Sequence, residues 1–593
     1  SEVQHPESTE AAPITQTEDL AGMPRVLSRQ NLQERSKHLL LHLPPHPVFT
    51  LFARILEVNR PSMKERDIIN FVRSVAERSG WWYRIDPQGN ILIRKPGTEL
   101  NHAQCICLQA HLDMVIAADS KEDIVDGVNA YVDRGWLRAK GTTLGADNGI
   151  GLATALSLLL DQSIQGPLEA LFTVNEEAGM SGARNLQPNW MKSKILINLD
   201  SEEPNRITAG CAGSFAKRLT WIPEREETTT HIISTATAAT SEAKLFNHLG
   251  IRISNLTGGH SGLMIHRNIS SAIKGFGQCL SAVLRDVPAR IVSLRGGDAQ
   301  NSIPTSVSAV IALESEQDIE SLQDVFHSTL ELLRIKETGQ VDEPMERTWT
   351  LDFDRKPQAL DQRPLTLTAT RKLVRALLQA PHGCYELSPE GHVESSVSLS
   401  TAMLGADKNS ELELFFKARI HGDEQALELD ELISNFGHSQ GMNVTLMEKF
   451  NRPWTAPSDS VAAQYLRSTH NQLFGREPDF QRVHGGLELG LIAQKYPSLD
   501  CVSIGPEIEG AHTTLERLRV ESVPPFYEWL KTTIRSMHED TQRDKIMADW
   551  RGKTLSQTLD KIVEHTREKI LSRSRTRSES RASADRTVSI PVC

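Results

Sequence analysis

Five clusters of acidic residues and histidines lie along this chain. They read QAHLDMV at 109–115, TTLGADNGIG at 142–151, TVNEEAGMSGA at 173–183, INLDSEE at 197–203 and GPEIEGAHTTLE at 505–516. The candidate metal ligands in these clusters are His111, Asp147, Glu177, Asp200 and His512. Two cations that share one carboxylate can polarise an amide carbonyl and deliver a hydroxide to it. The clusters therefore predict a two-metal site with hydrolytic chemistry.

Each cluster alone also has an ordinary structural interpretation. An isolated H-x-D is weak evidence for a metal, and a turn followed by a helix cap would explain Asp147 between two glycines. Adjacent glutamates such as Glu176 and Glu177 are usually solvated. All five clusters, however, follow apolar runs that are typical of strands, and open α/β sheets place their sites where the strands end. We therefore predict that the five clusters converge.

The spacing within the clusters suggests separate roles for neighbouring residues. His111 and Asp113 are two residues apart at a strand end, so both point to one face and Asp113 can orient the imidazole. Glu176 and Glu177 diverge, and we assign Glu177 to a metal and Glu176 to proton transfer. Two imidazoles and three carboxylates suit two divalent cations, zinc first, with manganese or cobalt as alternatives.

The elements that must position these residues indicate an α/β fold. Strand and helix signals alternate, which predicts a catalytic domain with a mainly parallel central sheet. His512 lies 312 residues after Asp200, so we expect an inserted α/β module over residues 213–451, placed over the site. The catalytic domain would then consist of residues 47–212 and 452–541.

The two ends of the chain differ in composition from the rest. Residues 1–46 are rich in Glu, Thr, Pro and Gln, which predicts a disordered extension. Residues 542–593 end in the basic, Ser-rich SRSRTRSESRASADR, which predicts a helical segment and then a disordered tail.

Charge and composition exclude some classes of function. The net charge of −11 argues against nucleic acid as a partner. No apolar run approaches the roughly 18 residues of a membrane span, so we expect no membrane association. The seven cysteines are scattered among apolar runs, which favours a reducing compartment, and we predict a cytoplasmic protein.

At this point the motifs can be compared with a known family. HLD, GADNGIG, NEEAGMSGA, NLDSEE and GAHT together resemble the cocatalytic metallopeptidase family of aminoacylases, carnosinases and glutamate carboxypeptidases. GTTLGADNGIG, HGGLELG at 484–490 and IGPEIEGAHT are similar to its aminoacyl-histidine (Xaa-His) dipeptidase branch. The resemblance covers residues 47–541.

The resemblance implies a di-zinc site with defined ligand sets. His111, Asp147 and Asp200 would hold one metal, and Asp147, Glu177 and His512 the other. Asp113 would be the orienting acid and Glu176 the general base. The resemblance also implies that the insertion is a lid domain through which a homodimer forms.

The lid sequence matches the family in some positions and departs from it in others. GGHSG at 258–262 is intact, and His260 would be the lid histidine that turns toward the substrate carbonyl. Asn301 and Arg419 match further lid positions, and we predict that both bind substrate. We also consider Glu488 as a partner for a substrate α-ammonium. Departures that leave the preferred dipeptide open are Met264, Ser271 and Ser398.

Three functions follow from these residues. The first is metal-dependent hydrolysis of dipeptides, with carnosine-like Xaa-His substrates. An amidohydrolase acting on N-acyl amino acids would use the same metals. A non-catalytic scaffold on the same fold is the alternative from another class.

Overall fold

Two nine-stranded sheets organise the chain in the computed structural model, which describes residues 29–98, 103–119, 127–226, 246–262, 264–338, 349–356, 362–389 and 391–540. The strands are β1 (Trp82–Ile85), β2 (Ile91–Lys95), β3 (Ile106–His111), β4 (Ala130–Asp133), β5 (Trp136–Ala139), β6 (Leu168–Thr173), β7 (Ile195–Asn198), β8 (Arg206–Cys211), β9 (Gly213–Trp221), β10 (Asn247–Ser254), β11 (Gly259–His260), β12 (Arg290–Gly296), β13 (Ser302–Ile303), β14 (Val307–Leu313), β15 (Thr350–Lys356), β16 (Gly383–Leu387), β17 (Val393–Leu404), β18 (Leu412–Ile420), β19 (Asn443–Asn451), β20 (Trp454–Thr455), β21 (Asp479–Val483), β22 (Asp500–Ser503), β23 (Ile508–Glu509) and β24 (Arg517–Arg519).

Twelve α-helices accompany these strands in the described ranges. They are α1 (Arg29–Leu40), α2 (Pro47–Ile55), α3 (Arg66–Arg78), α4 (Ala146–Leu160), α5 (Ser181–Arg184), α6 (Ala272–Val283), α7 (Glu316–Thr338), α8 (Leu367–Gln379), α9 (Asp423–Ser439), α10 (Val461–Phe474), α11 (Glu488–Lys495) and α12 (Val523–Glu539). In this part of the chain we find no helix that combines the length and the apolar character of a membrane span.

The first sheet is mixed, with a parallel centre. Its strand order is β1-β2-β6-β3-β7-β22-β8-β20, and β21 pairs with β8. The neighbours β6, β3, β7 and β22 run parallel to one another, whereas β1, β2 and β20 pair antiparallel. The predicted α/β fold is confirmed, and its parallel part is confined to the central strands. Their carboxyl ends therefore meet at one edge of the sheet.

The central strands are buried on both faces, as parallel sheets require. All six residues of β3 and all six of β6 are buried. Helix α4 packs against β3 and α2, and nearly its whole length is apolar and buried. One continuous hydrophobic core therefore supports the edge at which the central strands end.

The second sheet is antiparallel and is built from the middle of the sequence. Its order is β15-β10-β14-β12-β17-β18-β9-β19, with β16 beside β17. Its first strand in sequence begins at Gly213 and its last ends at Asn451, and the helices α6 to α9 lie between them. It has a hydrophobic core of its own. We call this unit the lid.

Two neighbouring segments connect the lid to the first sheet. The chain leaves β8 at Cys211 and enters β9 at Gly213, and it returns from β19 at Asn451 to β20 at Trp454. Strands β9 and β19 are paired, with Ser214 opposite Asn451. A Cβ atom on Gly213 would lie 2.3 Å from the Asn451 carbonyl oxygen, so the two crossings are in close contact.

The N-terminal extension is shorter than we predicted. Residues 29–40 form α1, where composition predicted disorder, so that part of the prediction is wrong. The physical reason is packing: Leu39 is buried, and the Ser36 hydroxyl donates a hydrogen bond of 2.9 Å to the carbonyl of Ala53 in α2. The predictions for residues 1–28 and for the tail at 542–593 fall outside the described residues.

Candidate metal centre

The five predicted ligands lie at the edge where the central strands end. His111 is the last residue of β3, and Asp200 follows β7 by two residues. Glu177 follows β6, and Asp147 stands in the first turn of α4. His512 comes from the segment after β22. The parallel order of the strands thus brings together residues from 111 to 512.

The distances show one carboxylate between two imidazoles. The Nε2 atom of His111 is 3.0 Å from Asp147 Oδ1 and 3.3 Å from Asp200 Oδ1. The Nε2 atom of His512 is 3.1 Å from Asp147 Oδ2 and 2.8 Å from Glu177 Oε2. Each oxygen of Asp147 therefore faces a different histidine, and each histidine has a second carboxylate beside it.

These residues fit two divalent cations. Suitable ligand atoms of His111, Asp147 and Glu177 all lie within 4.8 Å of one another. The Oε1 atom of Glu177 is buried without a hydrogen-bond partner among the described residues, as expected for an atom whose partner is a metal. Imidazole nitrogens and carboxylate oxygens are the ligands of catalytic zinc in sites without thiolates.

The charges at this edge strongly perturb the pKa values of both imidazoles. Burial alone would lower the pKa of His111, but the charge of Asp200 and hydrogen bonds that the ring donates to Asp113, Asp147 and Asp200 raise it well above its ordinary value. For His512, burial also acts downward, and Asp147 and Glu177 raise the pKa to about 12. The neighbouring carboxylates therefore favour the positively charged form of both rings, and a ring nitrogen that binds a cation must first lose its proton.

Asp113 connects the histidine ligand to the loop of the two glutamates. Its carboxylate accepts hydrogen bonds from the backbone amides of Glu176 at 3.0 Å and Glu177 at 3.1 Å. Its Oδ1 lies 3.5 Å from His111 Nδ1, and its Oδ2 accepts a 2.7 Å hydrogen bond from the Ser62 hydroxyl. This is the arrangement expected of a carboxylate that orients a metal ligand.

Glu176 is half-buried next to Glu177. Burial, followed by the negative charge of Glu177, raises the pKa of Glu176 well above its ordinary value. A carboxyl group with a raised pKa can hold a proton and release it again near neutral pH.

Two further acidic residues of the site were not predicted. Glu516 is buried and accepts hydrogen bonds from the backbone amides of Gly145 at 2.8 Å and Asp147 at 3.1 Å. The pKa of Glu202 is raised well above its ordinary value by burial and by the charge of Asp147. Both lie in the quoted motifs, four residues after His512 and two after Asp200, but spacing alone does not show which acid binds a backbone amide.

The lid contributes a histidine and an arginine. His260 Nε2 is 3.2 Å from a terminal guanidinium nitrogen of Arg419, which is buried in β18. Strand β11, which ends at His260, pairs with β13, and the Ser261 amide donates to the Asn301 carbonyl at 2.8 Å. His260, Asn301 and Arg419 are therefore grouped around one lid segment.

The lid and the catalytic part touch beside this segment. The His484 Nε2 atom is 2.7 Å from the Ser396 hydroxyl, and Arg482 forms a 2.6 Å ion pair with Glu394. A Cβ atom on Gly262 would lie 2.4 Å from the His484 carbonyl oxygen. The GGHSG segment is thus packed directly against the HGGLELG segment.

Glu488, which we considered as a partner for a substrate α-ammonium, is a buried residue. The side chain is 0% exposed, and its Oε2 accepts hydrogen bonds from Gln109 Nε2 at 2.7 Å and Thr173 Oγ1 at 2.6 Å. Glu488 begins α11, and burial raises the pKa of its carboxyl group to about 7.

The three lid residues that depart from the family pattern pack against their neighbours. Met264 contacts Gly259, next to His260, and belongs to a small apolar cluster with Ile303. Ser271, at the start of α6, and Ser398, in β17, are both buried.

Comparison with known proteins agrees with this geometry. The family described as Peptidase family M20/M25/M40 matches residues 107–536. The cytosol non-specific dipeptidase of Escherichia coli (strain K12) is 32% identical over 507 residues, which are 84% of this chain and 99% of that protein. The crystal structure of the aminoacylhistidine dipeptidase from Vibrio alginolyticus is similar with a TM-score of 0.57 and 28% identity, over 83% of this chain and 97% of that one.

The geometry of the metal centre predicts that cation binding releases protons from the site. Calorimetric titration of the chelator-stripped chain with zinc at pH 7, in buffers of different ionisation enthalpy, should show release of about two protons, one from each imidazole. The zinc affinity should weaken as the pH falls.

The Asp147→Asn variant should bind at least one zinc ion fewer than the wild type, because this carboxylate faces both histidines. Asp161→Asn, at the other end of α4, is the control and should bind zinc like the wild type. Equal zinc stoichiometry in both variants would contradict a shared carboxylate at Asp147.

Proposed function

We propose that this chain, which belongs to peptidase family M20/M25/M40 and hydrolyses dipeptides as a metallopeptidase, cleaves Xaa-His dipeptides with two zinc ions. The observation that carries the proposal is the carboxylate of Asp147, which lies within 3.1 Å of both His111 and His512. The preference for histidine is supported by the similarity to an aminoacylhistidine dipeptidase.

We assign each metal a set of three ligands. His111, Asp147 and Asp200 hold one cation, and Asp147, Glu177 and His512 hold the other. The pairing of each histidine with its own second carboxylate supports this division. Cations bound there would polarise the substrate carbonyl and lower the pKa of a water molecule.

The residues of the chain then supply proton transfer and positioning. Glu176 accepts a proton from the attacking water and returns it to the departing amine nitrogen. Asp113 keeps the Glu176–Glu177 backbone and the His111 ring in place. His260 donates a hydrogen bond to the oxyanion that develops on the carbonyl oxygen. Arg419 binds the carboxylate of the dipeptide, with Asn301 beside it.

We propose a cytoplasmic location for this activity. The cysteines of the described residues are all free thiols, as a reducing compartment requires. The E. coli relative carries the word cytosol in its name.

We further propose that two copies associate through the lid. Strand β19 lies at the edge of the lid sheet and exposes Leu446, Met447 and Phe450. Exposed apolar edge strands are normally covered by another chain or element. We expect the full chain to sediment as a dimer and the Leu446→Lys variant to shift toward monomer. Leu41→Lys alters an exposed leucine outside the lid and should leave the sedimentation unchanged. A wild-type chain that sediments as a monomer contradicts the proposed dimer.

A substrate panel tests the function. The zinc-loaded chain is assayed on Xaa-His dipeptides, on dipeptides without histidine and on N-acetyl amino acids. We expect kcat/KM for Xaa-His to exceed that for other dipeptides by about tenfold, the effect of one hydrogen bond to a charged or polar group of the substrate. Equal values for all dipeptides would reject the histidine preference, and cleavage of N-acetyl amino acids alone would reject the dipeptidase.

The role of Glu176 is tested by Glu176→Gln. Because the amide cannot accept the proton of the water, kcat should fall about 10²- to 10⁴-fold while zinc content stays at the wild-type level. Glu203→Gln is the matched control, because Glu203 lies in the neighbouring motif but is exposed and paired with Arg206. Turnover is followed on an Xaa-His dipeptide at saturating zinc. Near-wild-type kcat in Glu176→Gln would refute the assigned base.

A further inference from the structure

A fully buried arginine lies under the metal centre. Arg60 precedes Pro61 in the segment between α2 and α3, and its side chain is 1% exposed. One guanidinium nitrogen donates to the carbonyls of Leu112 at 3.0 Å and Asp113 at 2.7 Å, and another donates to the carbonyl of Gly145. Arg60 therefore joins the loop that follows His111 to the loop that carries Asp147.

The positive charge of Arg60 is stabilised by the nearby carboxylates of the site without a direct ion pair. Among the described residues no carboxylate oxygen lies within ion-pair distance of its guanidinium. Burial lowers the pKa of Arg60, and the charges of Glu516, Asp113 and Asp147 act in the opposite direction. Because an isolated buried cation is strongly unfavourable, Arg60 is retained here by the field of the surrounding carboxylates.

Two glycines of the GADNG motif leave room for the guanidinium. A Cβ atom on Gly145 would lie 2.8 Å from a terminal nitrogen of Arg60, and one on Gly149 would lie 2.5 Å from the same atom. Gly145 also has a φ of +71°, which favours glycine. The motif around Asp147 thus accommodates Arg60 as well as the ligand.

The residues that follow Arg60 contact the remaining loop of the site. The Ser62 hydroxyl donates to Asp113, and Glu65 Oε1 accepts hydrogen bonds from the backbone amides of Met63 at 3.0 Å and Asn175 at 2.9 Å. Asn175 directly precedes Glu176. The segment 60–65 therefore contacts all three loops on which His111, Asp147 and Glu177 stand.

We propose that Arg60 is a positioning residue of the metal centre. Its planar fork fixes the distance between the His111 loop and the Asp147 loop, and its charge reduces the repulsion among the carboxylates before a cation binds. The inference rests on the proposed metallopeptidase function. It predicts that loss of Arg60 weakens metal binding by the folded protein, in addition to any effect on stability.

The experiment compares Arg60 with a buried arginine of the lid. Arg225 also donates to three backbone carbonyls, those of Val292, Arg363 and Gly405, and it lies in the lid, remote in the fold from the proposed ligands. Zinc affinity is measured by competition with a chromophoric chelator, and the thermal midpoint is measured in chelator. Arg60→Gln should weaken zinc binding about 10- to 100-fold, as loss of a group that orients ligands does. Arg60→Lys keeps the positive charge but lacks the planar guanidinium, so its zinc affinity should lie between those of Arg60→Gln and the wild type. Arg225→Gln should lower the thermal midpoint and leave zinc affinity unchanged.

A second variant approaches the same contact from the other side. Gly149→Ala should displace the guanidinium and weaken zinc binding, and combined with Arg60→Gln it should add little, because both changes act on one contact. The role of Arg60 is overturned if Arg60→Gln binds zinc with wild-type affinity. If Arg60→Gln does not fold, wild-type zinc affinity in Gly149→Ala overturns it. A wild-type chain that binds no zinc contradicts the proposed function instead, so the two failures are distinct.

Discussion

Repulsion between buried carboxylates is the constraint on which this structure depends. Asp113, Asp147, Glu177 and Asp200 meet within a few ångströms at one sheet edge, where solvent screens their charges poorly. Two imidazoles face Asp147, and each is shared with a second carboxylate. A guanidinium lies below, and backbone amides point at Asp113 and Glu516. Such an arrangement is consistent with a site whose full charge balance is reached only with divalent cations.

The rigid part of the molecule holds these carboxylates close together despite their repulsion. The ligand loops leave strands that are buried on both faces, and α4 covers these strands on one side, with α2 packed on α4. Loops anchored in this way lose little further conformational freedom when a cation binds, since most of their entropy was lost on folding. The side chains that we propose to bind the substrate belong instead to the lid, which has its own core.

The site was largely predictable from the sequence because His111, Glu177 and Asp200 stand at or just after the ends of apolar central strands. The strand order could not be predicted, but any parallel order brings strand ends to one edge, so convergence did not depend on it. The burial of Glu488 could not be predicted, because a motif gives the position of a residue and not the direction of its side chain. Helix α1 was missed because the average composition of residues 1–46 concealed the leucines that pack on α2. The role of Arg60 could not be predicted, since nothing in the sequence Arg60-Pro61-Ser62 indicates three carbonyl partners 52 to 85 residues away.

The narrow connection between the two sheets affects how the lid reaches the catalytic edge. Both crossings run side by side at Gly213 and Asn451, so they restrict translation of the lid more than rotation about the two connecting strands. A short double tether also keeps the effective concentration of His260 and Arg419 near the site high, because closing it demands little loop entropy. A rotation of the lid about this connection would move His260 and Arg419 relative to the proposed metal ligands, which stand on the first sheet.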